Sequence, residues 1–306
     1  MGLTPATGWE LAIQLAKLLE YLGIASLAGG TICLLFYRDE RRHTIVLFTA
    51  YIGLSCLLGF NGALFSFLFQ VGMTSGGGLA GMFDPDMARL LLGFEIGSAT
   101  LLRLAGFLAP VVACAVFANR LGSRPPTRTQ YHALGAVNAF SLLLLLASFT
   151  LAGHIAVLEP IAKVSIALHI LAVSVWTGAF LPLLFLCLSG NGETLAATMK
   201  GFGDMAGYCL LLLFAAGLIL VLELFHTPGE LISTPYGVTL LIKLGLVGIL
   251  LLVAAGNRFV FVPRMLAGAG SGSLAGAIRV EIVVAAAILA VTSYLATTVG
   301  PPAMPM

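Results

Sequence analysis

The chain has 306 residues, of which 59% are hydrophobic and only 9% charged, with a mean hydropathy of +1.06. A soluble domain of this length needs far more charge to cover its surface, so the composition is that of a membrane protein. The net charge of +2 excludes little by itself, and the placement of the charges along the chain carries the information.

A helix needs about 20 apolar residues to cross the hydrocarbon core. In chain order, segments that meet this test run roughly 9–36, 44–71, 96–118, 133–152, 162–188, 204–225, 237–260 and 278–299. These runs are long and continuous and lack the alternation of barrel strands. The expected fold is therefore an all-α polytopic membrane protein with eight transmembrane helices. The opening residues, MGLTPATGWE, carry no basic region before the apolar run, so no cleaved signal peptide is expected. Cys33, Cys56, Cys114, Cys187 and Cys209 all fall inside apolar segments without CxxC spacing, and read as small buried hydrophobes.

The loops alternate in basic content. Arg38, Arg41 and Arg42 fill the first and Arg120, Arg124 and Arg128 the third; Lys200 lies in the fifth, and Arg258, Arg264 and Arg279 flank the seventh. The even-numbered loops hold little beyond Arg89 and Lys163. Positive loops stay cytoplasmic, so both termini are expected on the outer, periplasmic side. The outer loop over 72–87 is rich in glycine and carries Met73, Met82, Met87, Asp84 and Asp86. Residues 88–95 read as a short interfacial helix leading into the third span. The tail, GPPAMPM, ends outside with Met304 and Met306.

The second half repeats the first. LLEYLGIASLAGGTICLLF from Leu18 matches ALHILAVSVWTGAFLPLLF from Ala167, placing Glu20 opposite His169 and Gly29 opposite Gly178 without a gap. GSATLLRLAGF in the third span matches GVTLLIKLGLV in the seventh, with Arg103 and Lys243 each six residues after a glycine. Two tandem four-helix repeats follow, related by an axis along the membrane normal. The expected division is 1–132 for the first three helices with the 72–95 outer loop, 133–153 for the fourth helix, and 154–306 for the second repeat.

Charge in hydrocarbon is costly, so such groups face the bundle interior and usually pair. Glu20 lies about 11 residues from the outer end of its span and Arg103, His169 and Lys243 about seven, or roughly 10–16 Å down. His154 closes the fourth span at the outer edge, and Glu223 and His226 close the sixth. The inner leaflet shows no comparable set. Glu20–Arg103 is a candidate ion pair, and His169 with Lys243 a candidate polar contact. His169 and Trp176 are seven residues apart and share a helix face. The histidines read as metal or haem ligands, as a proton relay, or as hydrogen-bonded core residues.

The chain resembles the copper resistance D (CopD) family of inner-membrane proteins through AGHI (152–155), ALHILAVSVWTGAFLPL (167–183), TPYGVTLLIKLGLV (234–247) and AGNRFVFVP (255–263). A final helix opening with Arg279 and Glu281 fits as well. The match is best over about 154–299 and looser in the first half. Where the family often has WxGG, this chain has Trp176-Thr177-Gly178-Ala179, which marks a divergent member. The resemblance implies copper handling, most often uptake from the periplasm across the bacterial inner membrane, alongside a CopC-like periplasmic copper-binding partner. By position it points to His154 and His169 as the metal-binding histidines.

Copper, as Cu(I) or Cu(II), suits the residue types present, since Cu(I) favours thioether and imidazole ligands. Met73, Met82 and Met87, with Met304 and Met306, would collect the ion before His154 and His169 receive it. On the inner side only Cys33, Cys187 and Cys209 offer soft ligands. The alternatives are a haem-binding oxidoreductase with His154 and His169 as axial ligands, and a non-transporting scaffold. The haem reading is weakened by a depth difference of roughly 10 Å between the two histidines. No GxSxG, HExxH or P-loop motif is present, and nothing points to nucleic acid; the lipid bilayer is the partner that the composition itself implies.

Overall fold

The computed structural model describes residues 5–36, 41–121, 126–153, 156, 158–189, 192–225 and 227–300, with the backbone alone at 192–194 and 196–197. Thr7 opens the first helix with a reciprocal cap. Its hydroxyl accepts from Glu10 N at 3.3 Å, and the Glu10 carboxylate accepts from Thr7 N at 2.7 Å. Eight helices are long and apolar enough to cross a membrane: Gly8–Phe36, Arg42–Ser75, Glu95–Leu121, Arg128–Leu151, Pro160–Ser189, Thr198–Leu224, Pro235–Leu266 and Gly272–Val299. They are the expected eight, each starting one to six residues earlier, and no strand occurs among the described residues.

The outer loop after the second span turns through Gly76 and Gly78, both at positive φ, into a 3-10 turn over Gly78–Phe83. A helix over Pro85–Leu92 follows, starting three residues before the expected 88. The earlier start has a local cause. Asp84 Oδ1 accepts from Asp86 N at 3.0 Å and Met87 N at 3.1 Å, and Pro85 occupies the first helical position, where its missing N–H costs nothing.

The first and fifth spans are buried over most of their length, whereas the sixth and seventh are mostly exposed on their outer faces, as lipid-facing helices must be. The first span packs on the second, the second on the third and the third on the fourth. The fifth packs on the sixth and the seventh on the eighth, while the fifth also meets the eighth. Between the two sets, the first span contacts the fifth and the eighth, and the fourth contacts the fifth.

The crossing of the two central helices depends on small residues, which let backbones approach closely where no hydrophobic force between helices operates. The first span loosens into a π-helical turn over Ser26–Gly30. There Gly29 faces the backbone of Gly178 and Ala179, and Gly178 faces the Ala25 carbonyl, so a Cβ at either glycine would meet main chain. The fifth span breaks at Ala179 between helices Pro160–Gly178 and Phe180–Ser189. Pro182 supplies the reason: lacking an N–H, it leaves the Gly178 carbonyl without its intrahelical donor. Tyr51 Oη from the second span donates to that carbonyl instead, at 3.0 Å.

Candidate functional site

Glu20 is 1% exposed and pairs with Arg103 of the third span, Arg103 Nη1 standing 3.2 Å from Glu20 Oε2. Helix spacing alone made this pair a candidate, and the fold brings it together. The arginine is held on two further sides by the fourth span. Its Nε donates to Ser148 Oγ at 3.1 Å, and its guanidinium lies 4.9 Å from the centre of the Phe149 ring. Ser66 of the second span stands beside the carboxylate, yet its hydroxyl and Glu20 Oε1 are both buried without a hydrogen-bond partner. All four helices of the first half thus meet at Glu20.

Lys17 belongs to the same site and was not among the expected residues. It sits three positions before Glu20, on the same helix face, and its charge acts on the carboxylate. A lysine inside an apolar run at that spacing from a glutamate was the available signal. Its Nζ also donates to the Ala296 carbonyl at 2.9 Å and to Thr297 Oγ1 at 3.0 Å. The eighth span ends in a π-helical turn over Leu295–Val299, whose carbonyls need donors. Gln14 completes the seam: its Nε2 donates to Thr298 Oγ1 at 2.8 Å, and its carbonyl accepts from Ser293 Oγ at 2.9 Å.

His169 occupies a separate place in the second half. It lies against Gly217 of the sixth span, where a Cβ would stand 3.6 Å from Nδ1 and Cε1, so the glycine makes room for the imidazole. His169 Nδ1 is buried and makes no well-formed hydrogen bond, although the Leu213 backbone of the sixth span lies within reach of the ring. Lys243 of the seventh span is the charged neighbour whose field reaches it. The four ionisable groups therefore form two sites, one within each half, and not the single cluster between the halves that their common depth suggested. The backbones of spans one and five meet at the glycine crossing, nine residues along the chain from Glu20 and from His169, and each polar side chain turns toward its own neighbours.

Trp176 is buried and packs edge-on to Phe180 at 6.0 Å, in the core and away from the polar groups. Glu223 is half-buried at the outer end of the sixth span. Of the outer-loop methionines, Met73 is exposed and Met87 half-buried, while Met82 is buried and flanks Gly72 together with Trp9. His154, His226, Met304 and Met306 lie outside the described residues. Among the described residues, no group of three or more His, Cys, Asp or Glu stands close enough to hold a metal ion. All five cysteines are free, four of them buried and Cys209 half-buried.

The ends of the spans opposite Glu20 and His169 are richer in polar groups than expected. Arg258 Nη2 pairs with Asp204 Oδ1 at 3.1 Å and its Nη1 donates to the Gly203 carbonyl, tying the seventh span to the sixth. Glu281 is 5% exposed inside the eighth span beside Asn257. Next to Arg279 in the sequence, Glu281 looked like part of a helix opening, but helix Gly272–Tyr294 begins nine residues earlier and buries it.

These features define a polytopic helical membrane protein with buried ionisable groups at two depths, the residue class that marks ion and substrate routes. Comparison with family models assigns it more closely. Residues 8–164 match the model of the copper resistance protein D-like N-terminal domain, and residues 196–295 match the model of copper resistance protein D. The chain belongs to the copper resistance protein D family and is a multi-pass membrane protein of copper handling. The first half, where the sequence resemblance is the looser, is matched from residue 8 onward, and the fifth-span motif over 167–183 lies between the two matched stretches. Comparisons with curated proteins and with solved structures gave no match.

Proposed function

We propose that this protein binds copper on the outer, periplasmic side of a bacterial inner membrane and mediates its uptake, with His169 as the inner ligand of the route and His154 above it. The observation that carries this reading is the buried imidazole of His169, which fills the space left by Gly217 and whose Nδ1 makes no well-formed hydrogen bond, the Leu213 backbone being within reach but poorly aligned. A buried polar atom without a partner is costly, and a soft or borderline metal ion is the partner that imidazole takes most readily. Met73 and Met87 are accessible enough to collect the ion first, and Met82 would join only if it left its packing against Gly72. Lys243 opposes a cation here by Coulomb repulsion, so it must lose its proton or turn away as the ion binds.

Both termini face outward in this reading, from the alternation of basic loops. A CopC-like periplasmic protein is the partner that delivers the ion. The halves are tandem repeats, divided near 132 and 153 as the sequence suggests. Two observations support the repeat. Gly29 and Gly178, equivalent in sequence, face each other at the central crossing, as residues on a twofold axis must. The contact of the first span with the eighth has its counterpart in that of the fifth with the fourth.

The test is copper binding by the purified full-length protein. Stoichiometric copper is expected in the wild type. Its affinity should fall in His169→Ala by at least the tenfold or so that losing even an outer-shell group brings, and rise in Lys243→Met. Unchanged affinity in His169→Ala overturns the residue assignment, and a Soret band in place of copper overturns the cargo.

A further inference from the structure

Among the described residues, Glu281 is a deeply buried carboxylic acid that has no counter-charge, in what the proposed orientation makes the inner half of the membrane domain. Glu281 lies about nine residues in from the start of its helix, or roughly 14 Å along it. Asn257 approaches it from the π-helical turn Asn257–Phe261, which forms just ahead of Pro263 in the seventh span. Asn257 is 9% exposed, and its Oδ1 is buried without a donor.

The surroundings offer Glu281 no cation. On the seventh span, Arg258 is committed to Asp204 and the Gly203 carbonyl, and Lys243 lies in the outer half. The inner helix of the fifth span presents only the thiol of Cys187. On the first span, Lys17 and Glu20 belong to the outer site. On its own helix Arg279 is exposed and two residues away, on another face. None of these charges acts on Glu281, and Asn257 is its one polar partner.

An ionised carboxylate in that position would lack a counter-charge and would be unable to supply the donor that Asn257 Oδ1 lacks, with the Asn257 amide as its neighbouring polar group. A protonated acid meets both needs, because its O–H donates to the amide oxygen. A half-turn of the amide presents N–H in place of oxygen, so Asn257 can also serve the ionised form. We propose that Glu281 and Asn257 form a proton-binding site in the inner half of the membrane domain, with Glu281 exchanging its proton with the inner aqueous side. Two carboxyl oxygens and an amide oxygen are hard donors and do not suit Cu(I), so the site is distinct from the copper ligands. Glu20 has counter-charges in Arg103 and Lys17 and does not take this part. Coupling of the proton to copper movement rests on the uptake reading above; the proton site itself does not.

Infrared spectroscopy of the full-length protein in lipid tests the site without copper. The wild type at neutral pH should show the carbonyl band of a neutral carboxylic acid. Glu281→Gln, which keeps the shape and can still donate to Asn257, should lose the band while retaining the wild-type melting temperature. Asn257→Leu should keep the band and shift it to higher wavenumber, because the acid has lost its acceptor. A band that persists in Glu281→Gln, or is absent from the wild type, overturns the proposal. In proteoliposomes loaded with a copper indicator, an imposed pH gradient should change wild-type uptake severalfold and leave Glu281→Gln unresponsive. A wild type that moves no copper refutes the uptake reading while the infrared result still decides the proton site.

Discussion

The Glu20–Arg103 pair offers the sharpest test of the electrostatic argument. At 3.2 Å, the attraction between Arg103 Nη1 and Glu20 Oε2 is about 5 kcal/mol at an effective dielectric constant of about 20. Arg103→Met removes the cation, its bond to Ser148 and its contact with Phe149, and leaves a carboxylate whose side chain is 1% exposed. Breaking a buried pair in this way costs about 3–5 kcal/mol. Lys17 remains to offset part of the charge, which places the expected loss near the lower end, at about 3 kcal/mol. Glu20→Gln leaves two cations facing a neutral amide, one of which, Lys17, keeps its bonds to Ala296 and Thr297. The double variant removes both members of the pair, so its loss should fall short of the sum of the singles by about 2 kcal/mol. Unfolding in mixed micelles, followed by the fluorescence of the two tryptophans, Trp9 and Trp176, gives all four stabilities. Losses that add to within about 0.5 kcal/mol would refute the reasoning, because they would mean that the charges do not sense each other.

Two further substitutions probe the frame around the sites. Gly178→Ala places a methyl group against the Ala25 carbonyl, and because main chain cannot swing aside as a side chain can, a loss of about 1–3 kcal/mol or more is expected in the same assay. Gly276→Ala, where nothing stands within 4 Å, is the control and should be neutral or stabilising by up to about 1 kcal/mol. Lys17→Met removes two donors from the end of the eighth span, at about 1.5–3 kcal/mol for a bond to a charged group. Hydrogen exchange should then rise over residues 295–299 and not at the inner end of the same helix, and a uniform rise would show that the seam is not local.

Much of the architecture was legible because bilayer physics leaves few choices. A run of about 20 apolar residues must be a helix, and a charge inside one must find a partner at its own depth. Glu20 and Arg103 could be paired on that ground alone. Lys17 could not be placed so easily, because its partners are carbonyl and hydroxyl groups at the far end of the chain, 279 and 280 residues away, which no local pattern announces.

The sequence by itself determined the eight spans, their order and the positions of the ionisable groups along them, since each follows from local hydropathy and spacing. Tertiary structure alone decided which neighbours those groups meet. It turned Glu20 and His169 into separate halves, drew Lys17 to the eighth span, and set Glu281 opposite Asn257 without a counter-charge. Depth is a one-dimensional property that the chain writes out residue by residue. The direction in which a side chain points around its helix is settled by packing, here with two glycines that bring the backbones of the central helices together.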